Sequence, residues 1–262
     1  MAQTCNSSEL GKAYGQTFHE SLYFTQASEG YGKAVLTQTD LTSGARLVSC
    51  LYSNAITPEM CRDALRPFIQ DPSSLSDRQA TASVLALHLV SAQVPDFQPF
   101  CQAYVDSLPS TIFSPLSFNA AELALLQNTN LHGASLDRLR EWEHDHNSLC
   151  RAIETSSPTA AQQLTWTLYL WGCTIISSRA FPSSLIDGNE ADSKPILFPA
   201  VDTLNHNPKS KILWLKEKDR LTLITEERIR SGTECYNNYG LPFSVLANLT
   251  EIYISKSRPE IE

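Results

Sequence analysis

Two short segments near the end of the chain hold the residues best suited to chemistry. They are Asp202-Thr203-Leu204-Asn205-His206-Asn207-Pro208 and Glu234-Cys235-Tyr236-Asn237-Asn238-Tyr239-Gly240. Each sets Asn, His or Tyr beside apolar residues and closes on a turn former, Pro208 or Gly240. Surface loops seldom spend imidazoles and phenols this way, so the pair reads as the wall of a binding site. Other chemistries lack their residues. There is no GxSxG, HExxH or GxxxxGK[ST] pattern, which leaves hydrolase, zinc-protease and P-loop readings unsupported. His144-Asp145-His146 with Cys150 could suggest a metal site. On a helix, however, His144 and His146 point apart, and only His146 and Cys150 share a face. No metal is expected.

Two further segments carry glycine, aromatic and charged residues. Ser28-Glu29-Gly30-Tyr31-Gly32-Lys33-Ala34-Val35 sets a tyrosine between glycines, and Ser178-Arg179-Ala180-Phe181 sets a cation and an aromatic at the end of an apolar run. Each segment also has a plain structural reading when taken alone. The glycines fit a tight turn, and Arg179 fits a charged helix C-terminus. Asn205-His206 fits a capped turn, and Tyr239 a buried core tyrosine.

Together the four segments resemble the signature of the SET-domain methyltransferases. The resemblance is to the branch that includes the Rubisco large-subunit lysine methyltransferases and their fungal ribosomal relatives. Asp202, Asn205 and His206 match the family's DxxNH motif, and Tyr239 its terminal YG motif. Arg179 and Phe181 match the SRxF segment, and Glu29 and Tyr31 the glycine-flanked first motif. The resemblance implies an α+β fold, a SET-domain β-fold of small sheets with a pseudoknot, interrupted by a helical insertion. The implied division is 16–56 for the N-terminal SET part, 57–156 for the insertion, 157–240 for the C-terminal SET part and 241–262 for a short tail. That tail stands where the family usually continues into a helical C-terminal domain. Cys50-Leu51-Tyr52 also departs from the family, which has a polar or acidic residue, an apolar one and then proline there.

The same resemblance implies S-adenosylmethionine as cofactor, bound by Glu29, Tyr31, Arg179, Asp202, Asn205, His206 and Tyr239. Phe181 and Tyr236 would line the substrate channel, and Tyr239 would be catalytic. The implied function is protein-lysine N-methyltransferase, with a protein bearing a target lysine as partner. The alternatives are a SET-fold enzyme acting on a small molecule and a catalytically silent SET-like binding module. Methyl transfer suits these groups because it needs alignment and exclusion of water rather than a metal. Backbone carbonyls can orient the methyl through CH···O contacts, and the faces of Tyr239, Tyr236 and Phe181 can attract cations. A narrow apolar channel lowers the pKa of a lysine nucleophile, and Tyr239 would position the neutral amine.

Elements that could carry these segments are legible in the residue pattern. Strands are expected around Leu22–Phe24, Ala34–Leu36 and Arg46–Leu51, and a hairpin from Ile212–Leu215 and Leu221–Thr225 about a polar turn. Asp40–Gly44 and Arg228–Gly232 echo one another, each a turn ending on a glycine suited to positive φ before a strand. Between them, Thr57-Pro58 opens a helical region. It is expected to hold a helix in Ser76–Ala92, with His88 as a core or rim residue. Shorter helices are expected in Phe97–Asp106 and Ala120–Gln127. A further helix is expected to be capped by Ser135, with Leu136, Leu139, Trp142, His146 and Leu149 as its buried stripe, and a long apolar one to run from Pro158 to Ser178.

Bulk properties set the frame. The chain has 262 residues, 42% hydrophobic and 18% charged, enough for a sizeable core. A net charge of -8 argues against a general nucleic-acid binder. No secretory segment and no apolar run long enough for a bilayer is seen, so no membrane partner is expected. The seven cysteines are scattered, which fits a reducing compartment, cytoplasmic or nuclear. A monomer is expected.

Overall fold

A computed structural model describes residues 17–26 and 32–239. Glu29, Tyr31, Gly240 and the expected tail 241–262 lie outside the described residues. The described residues divide into two compact units, those up to 50 together with 203–239, and 51–202. The second unit thus runs past the expected boundary at 156/157. The reason is that the helix leading to Arg179 packs along the helix that starts at Asp77, well inside the expected insertion.

The first unit is built from β-strands. β1 (Thr17–Phe18), β4 (Arg46–Leu51), β8 (Arg220–Thr225) and β7 (Ile212–Lys216) form one sheet in that order. β2 (Leu22–Gln26) and β3 (Lys33–Thr37) pair antiparallel as a second, two-stranded sheet. The β7–β8 hairpin is the expected one, with Trp214 opposite Leu223 in register. The two echoing turns lie against each other. Leu41 and Ile229 exchange both backbone hydrogen bonds, at 2.8 and 3.0 Å, and Asp40 pairs with Arg228. Gly44 and Gly232 take φ of +90° and +75°, the left-handed region that glycine enters without a Cβ penalty. Val35, Leu47, Leu204, Leu221, Leu223 and Cys235 are fully buried in this unit.

The second unit is mostly helical. α1 (Pro58–Ala64) opens as expected, with the Thr57 side chain accepting from the Met60 N–H. α2 (Asp77–Leu89) begins at a Ser76–Gln79 capping box and is buried along its length from Ala80 to His88. α3 (Gln102–Ser107) and α4 (Ala120–Ala124) are shorter than the stretches expected for them. α5 (Asn130–Glu154) starts six residues earlier than expected, because Thr129 rather than Ser135 is the cap. Ser135 is buried on its inner face with Trp142, His146, Leu149 and Ile153, whereas Leu136 and Leu139 are only half-buried.

The long helix expected from Pro158 is instead two, α6 (Pro158–Gln163) and α7 (Trp166–Arg179). Thr165 takes extended backbone and caps α7 through the Leu168 N–H, so the helix restarts there. The freed Leu164 carbonyl accepts from His146 Nε2 at 2.7 Å. Gly172 on α7 lies against the α2 backbone. A Cβ there would sit 2.6 Å from the Ala82 oxygen, so the two helices approach as closely as a glycine permits. After α7 come β5 (Phe181–Pro182), α8 (Ser184–Asp187) and β6 (Pro195–Ile196). β5 pairs antiparallel with β6. No helix among the described residues is long and apolar enough to cross a membrane.

Candidate active site

Within the first unit the two chemistry-bearing segments meet. The strand-like stretch 233–235 lies along β3, with Cys235 N–H donating to the Val35 carbonyl at 2.8 Å and Thr37 N–H to the Thr233 carbonyl at 3.2 Å. Two residues on, Asn237 pairs in parallel with His206. Its N–H donates to the Asn205 carbonyl at 2.8 Å, and its carbonyl accepts from the Asn207 N–H at 2.9 Å. The second segment therefore lies between β3 and the 205–207 loop.

Asn237 is fully buried, and its side chain secures the junction. Its Oδ1 accepts from the Trp214 indole N–H and from the Asn238 N–H, both at 2.8 Å. Tyr239 closes the junction from the other end. Its backbone N–H donates to His206 Nδ1 at 3.1 Å, and its ring stacks on the imidazole with centroids 4.9 Å apart. Because Nδ1 accepts, the proton of the neutral imidazole resides on Nε2. The Tyr239 hydroxyl donates to the Leu204 carbonyl at 2.7 Å.

Asn205 is half-buried and its amide has a forced orientation. The Lys33 carbonyl at 3.0 Å and the Glu234 carboxylate at 2.7 Å are both acceptors, so Nδ2 must face them. Both amide hydrogens are thereby used and Oδ1 is left to accept. The Tyr236 hydroxyl faces the same carboxylate, and that hydrogen-bonding partner, with burial and the negative charge, pushes the phenol pKa up. Glu234 and Tyr236 also line a cleft of about 320 Å³ together with Glu227, Arg228, Arg230 and Thr233.

The remaining expected residues lie in the second unit. Asp202 is buried and Arg179 bonds it twice, Nη1 to the carbonyl at 2.9 Å and to Oδ2 at 3.1 Å. Tyr104, fully buried, donates its hydroxyl to the same Oδ2 at 2.8 Å. Burial, followed by the Asp202 charge, holds the Tyr104 phenol far above its usual pKa, so it stays a donor. Asp202 Oδ1 is buried with no hydrogen-bond partner among the described residues. Phe181 is buried with its ring edge-on to Phe198, 5.6 Å between centroids, and Tyr52 tilts against Phe198 at 6.3 Å. Ala200 carries φ of +72°, a strained conformation for a residue with a Cβ, two positions before Asp202.

Asn205, His206, Tyr236 and Tyr239 are thus brought together in the first unit, and Arg179 with Asp202 in the second. Sequence reasoning missed Glu234, Trp214, Asn237 and Tyr104 as partners of these residues. Glu234 and Asn237 stand inside a quoted motif. Tyr104 is remote from Asp202 in sequence and carries no local signal.

Small sheets, a helical unit set into the chain and a parallel crossing of two late segments make up the SET-domain fold that the sequence led one to expect. No protein-family model matches the chain. A ribosomal lysine N-methyltransferase of Schizosaccharomyces pombe is 31% identical over 233 residues, 86% of this chain and 41% of that protein. Ribosomal lysine N-methyltransferase 1 of Saccharomyces cerevisiae is 27% identical over 52% of this chain and 29% of its own length. The chain spans well under half the length of these curated relatives. Among solved structures, Rubisco LSMT bound to sinefungin and monomethyllysine superposes with a TM-score of 0.70 at 16% identity, over 90% of this chain and 52% of that one. The SET domain of LSMT bound to lysine and AdoHcy gives 0.68 at 15% identity, over 90% and 53%.

Proposed function

We propose that this chain is the SET-domain part of an S-adenosylmethionine-dependent protein-lysine N-methyltransferase. The observation that carries the reading is the crossing of residues 205–207 with Asn237, which sets Asn205, His206 and Tyr239 around one junction. The residues fit the cofactor. Asn205 Oδ1 accepts from an ammonium or amino group, and the stacked His206–Tyr239 pair offers a flat aromatic face suited to a cation.

When bound, the cofactor supplies an electrophilic methyl on a cationic sulfur. The protein's own groups do the rest. Tyr239 has spent its one hydroxyl proton on Leu204, so toward a substrate its oxygen acts as an acceptor and receives an amine N–H. It orients the nucleophile without giving up a proton. Tyr236, kept protonated by Glu234, stays neutral beside the substrate. The 31% identical relative and the lysine-bound SET structures support lysine as the acceptor, and a ribosomal protein as the first substrate to test. The reading takes the protein as a monomer in the cytoplasm or nucleus.

The test is calorimetric titration with S-adenosylmethionine, wild type against Asn205→Ala, followed by methyl transfer to ribosomal proteins. Binding that Asn205→Ala weakens, with methyllysine found on a ribosomal protein, is expected. A wild type that binds no cofactor would leave the silent binding module as the better reading.

A further inference from the structure

We propose that Glu234 is a positioning residue whose carboxylate sets the Asn205 amide in the orientation that leaves Oδ1 to accept from the cofactor. The inference deepens the functional reading above and rests on it. Asn205 can hold its amide plane in two ways related by a half-turn. With Nδ2 toward Lys33 and Glu234, both hydrogens are satisfied and the oxygen has no partner among the described residues. The reverse orientation would set the amide oxygen against a carbonyl and a carboxylate, an acceptor against two acceptors. The charged partner is the shorter of the two contacts, 2.7 Å against 3.0 Å, as charge-assisted hydrogen bonds are.

Glu234 is not needed to hold its own strand. The flanking residues already bond β3 through Thr233 and Cys235. Its side chain is half-buried and also takes the Tyr236 hydroxyl, so the group that orients Asn205 touches a residue expected to line the substrate channel. Glu234 is thereby a physical link between the expected cofactor contact and the expected substrate channel.

The test compares wild type, Glu234→Ala and Glu234→Gln. Glutamine can turn its oxygen to Asn205 and its amide to the Tyr236 hydroxyl, so it preserves the orientation while removing the charge. S-adenosylmethionine affinity by calorimetry should fall about tenfold or more in Glu234→Ala and stay within about threefold in Glu234→Gln. The second readout is the Asn205 side-chain amide pair in a ¹⁵N–¹H spectrum, assigned by its loss in Asn205→Ala. The hydrogen facing Glu234 should move upfield in Glu234→Ala, a local change that a general loosening of the fold would not confine to this residue. Wild-type binding with undiminished affinity in Glu234→Ala overturns the proposal and leaves the methyltransferase reading standing. Should Glu234→Ala fail to fold, a tenfold loss in a folded Glu234→Gln overturns it. No binding by the wild type overturns both.

Discussion

The indole N–H of Trp214, on the β7 edge of the sheet, donates to the side-chain oxygen of Asn237, the residue at the crossing of the two late segments. A hairpin that carries none of the expected site residues therefore supports the crossing. Trp214→Phe keeps most of the apolar contact and removes the donor. It should cost about 1–3 kcal/mol of stability, the range for losing a hydrogen bond to a buried group together with some packing. Urea unfolding followed by circular dichroism measures it, and an unchanged midpoint would count against the supporting role.

Tyr239→Phe removes the hydroxyl that receives the amine in the proposed mechanism and leaves the ring on His206. Methyl transfer should fall by about a hundredfold or more, as for other groups that orient a nucleophile, with cofactor affinity within a few-fold of wild type. Single-turnover rates and calorimetry separate the two. A variant with full turnover would remove Tyr239 from the chemistry.

Asp202, Arg179 and Tyr104 form one buried network in the helical unit, so their substitutions should not add. Tyr104→Phe should cost about 1.5–3 kcal/mol through loss of a hydrogen bond to a charge. Asp202→Asn should cost about 2–3 kcal/mol, toward the low end for a broken buried pair because Arg179 keeps 25% of its side-chain surface in water. A double-mutant cycle should return a coupling above about 0.5 kcal/mol. Strict additivity in equilibrium unfolding would mean that the two act separately.

His88 makes stability depend on pH. Its Nδ1 bonds the Val84 carbonyl at 2.7 Å, and Nε2 accepts from the Phe100 and Cys101 N–H groups, both at 3.2 Å. Burial lowers its pKa, opposed by the Val84 bond and by the Asp106 charge. A lowered folded pKa means that the unfolded chain binds the proton first as pH falls through the ordinary histidine value of about 6.5. Stability contributed by neutral His88 is present above that value and is lost below it, until the folded pKa is reached. The melting temperature should therefore decline from pH 7 toward pH 5, and His88→Gln should flatten the slope. Parallel slopes in calorimetry would assign the decline to other groups.

The β-strands around Leu22, Ala34 and Arg46, the 212–225 hairpin and the two echoing glycine turns could be read from local pattern because local chemistry decides them. Gly44 and Gly232 do adopt the positive φ that their turns asked for. The break at Leu164–Thr165 could not be read with the same ease. An apolar run hides a Thr cap whose competitor carbonyl is claimed by His146, a residue from another helix. Asn205 and Tyr239 were legible as a pair through their motifs. Trp214, which holds Asn237 beside them, was not, since it reaches that junction by tertiary packing alone. Asp202 shows the same limit: its motif marked it as important, but only the fold shows a carboxylate spoken for by an arginine and a phenol.

Gly172 has an effect well beyond its own size. With no side chain at that position, α7 rests directly on the α2 backbone at Ala82, and the same helix ends seven residues later at Arg179. The missing methyl thus works as a depth stop. It fixes how far α7 seats on its neighbour, and so where the guanidinium at its tip arrives. A methyl at 172 would push the two backbones apart and carry Arg179 off the Asp202 oxygens it now holds.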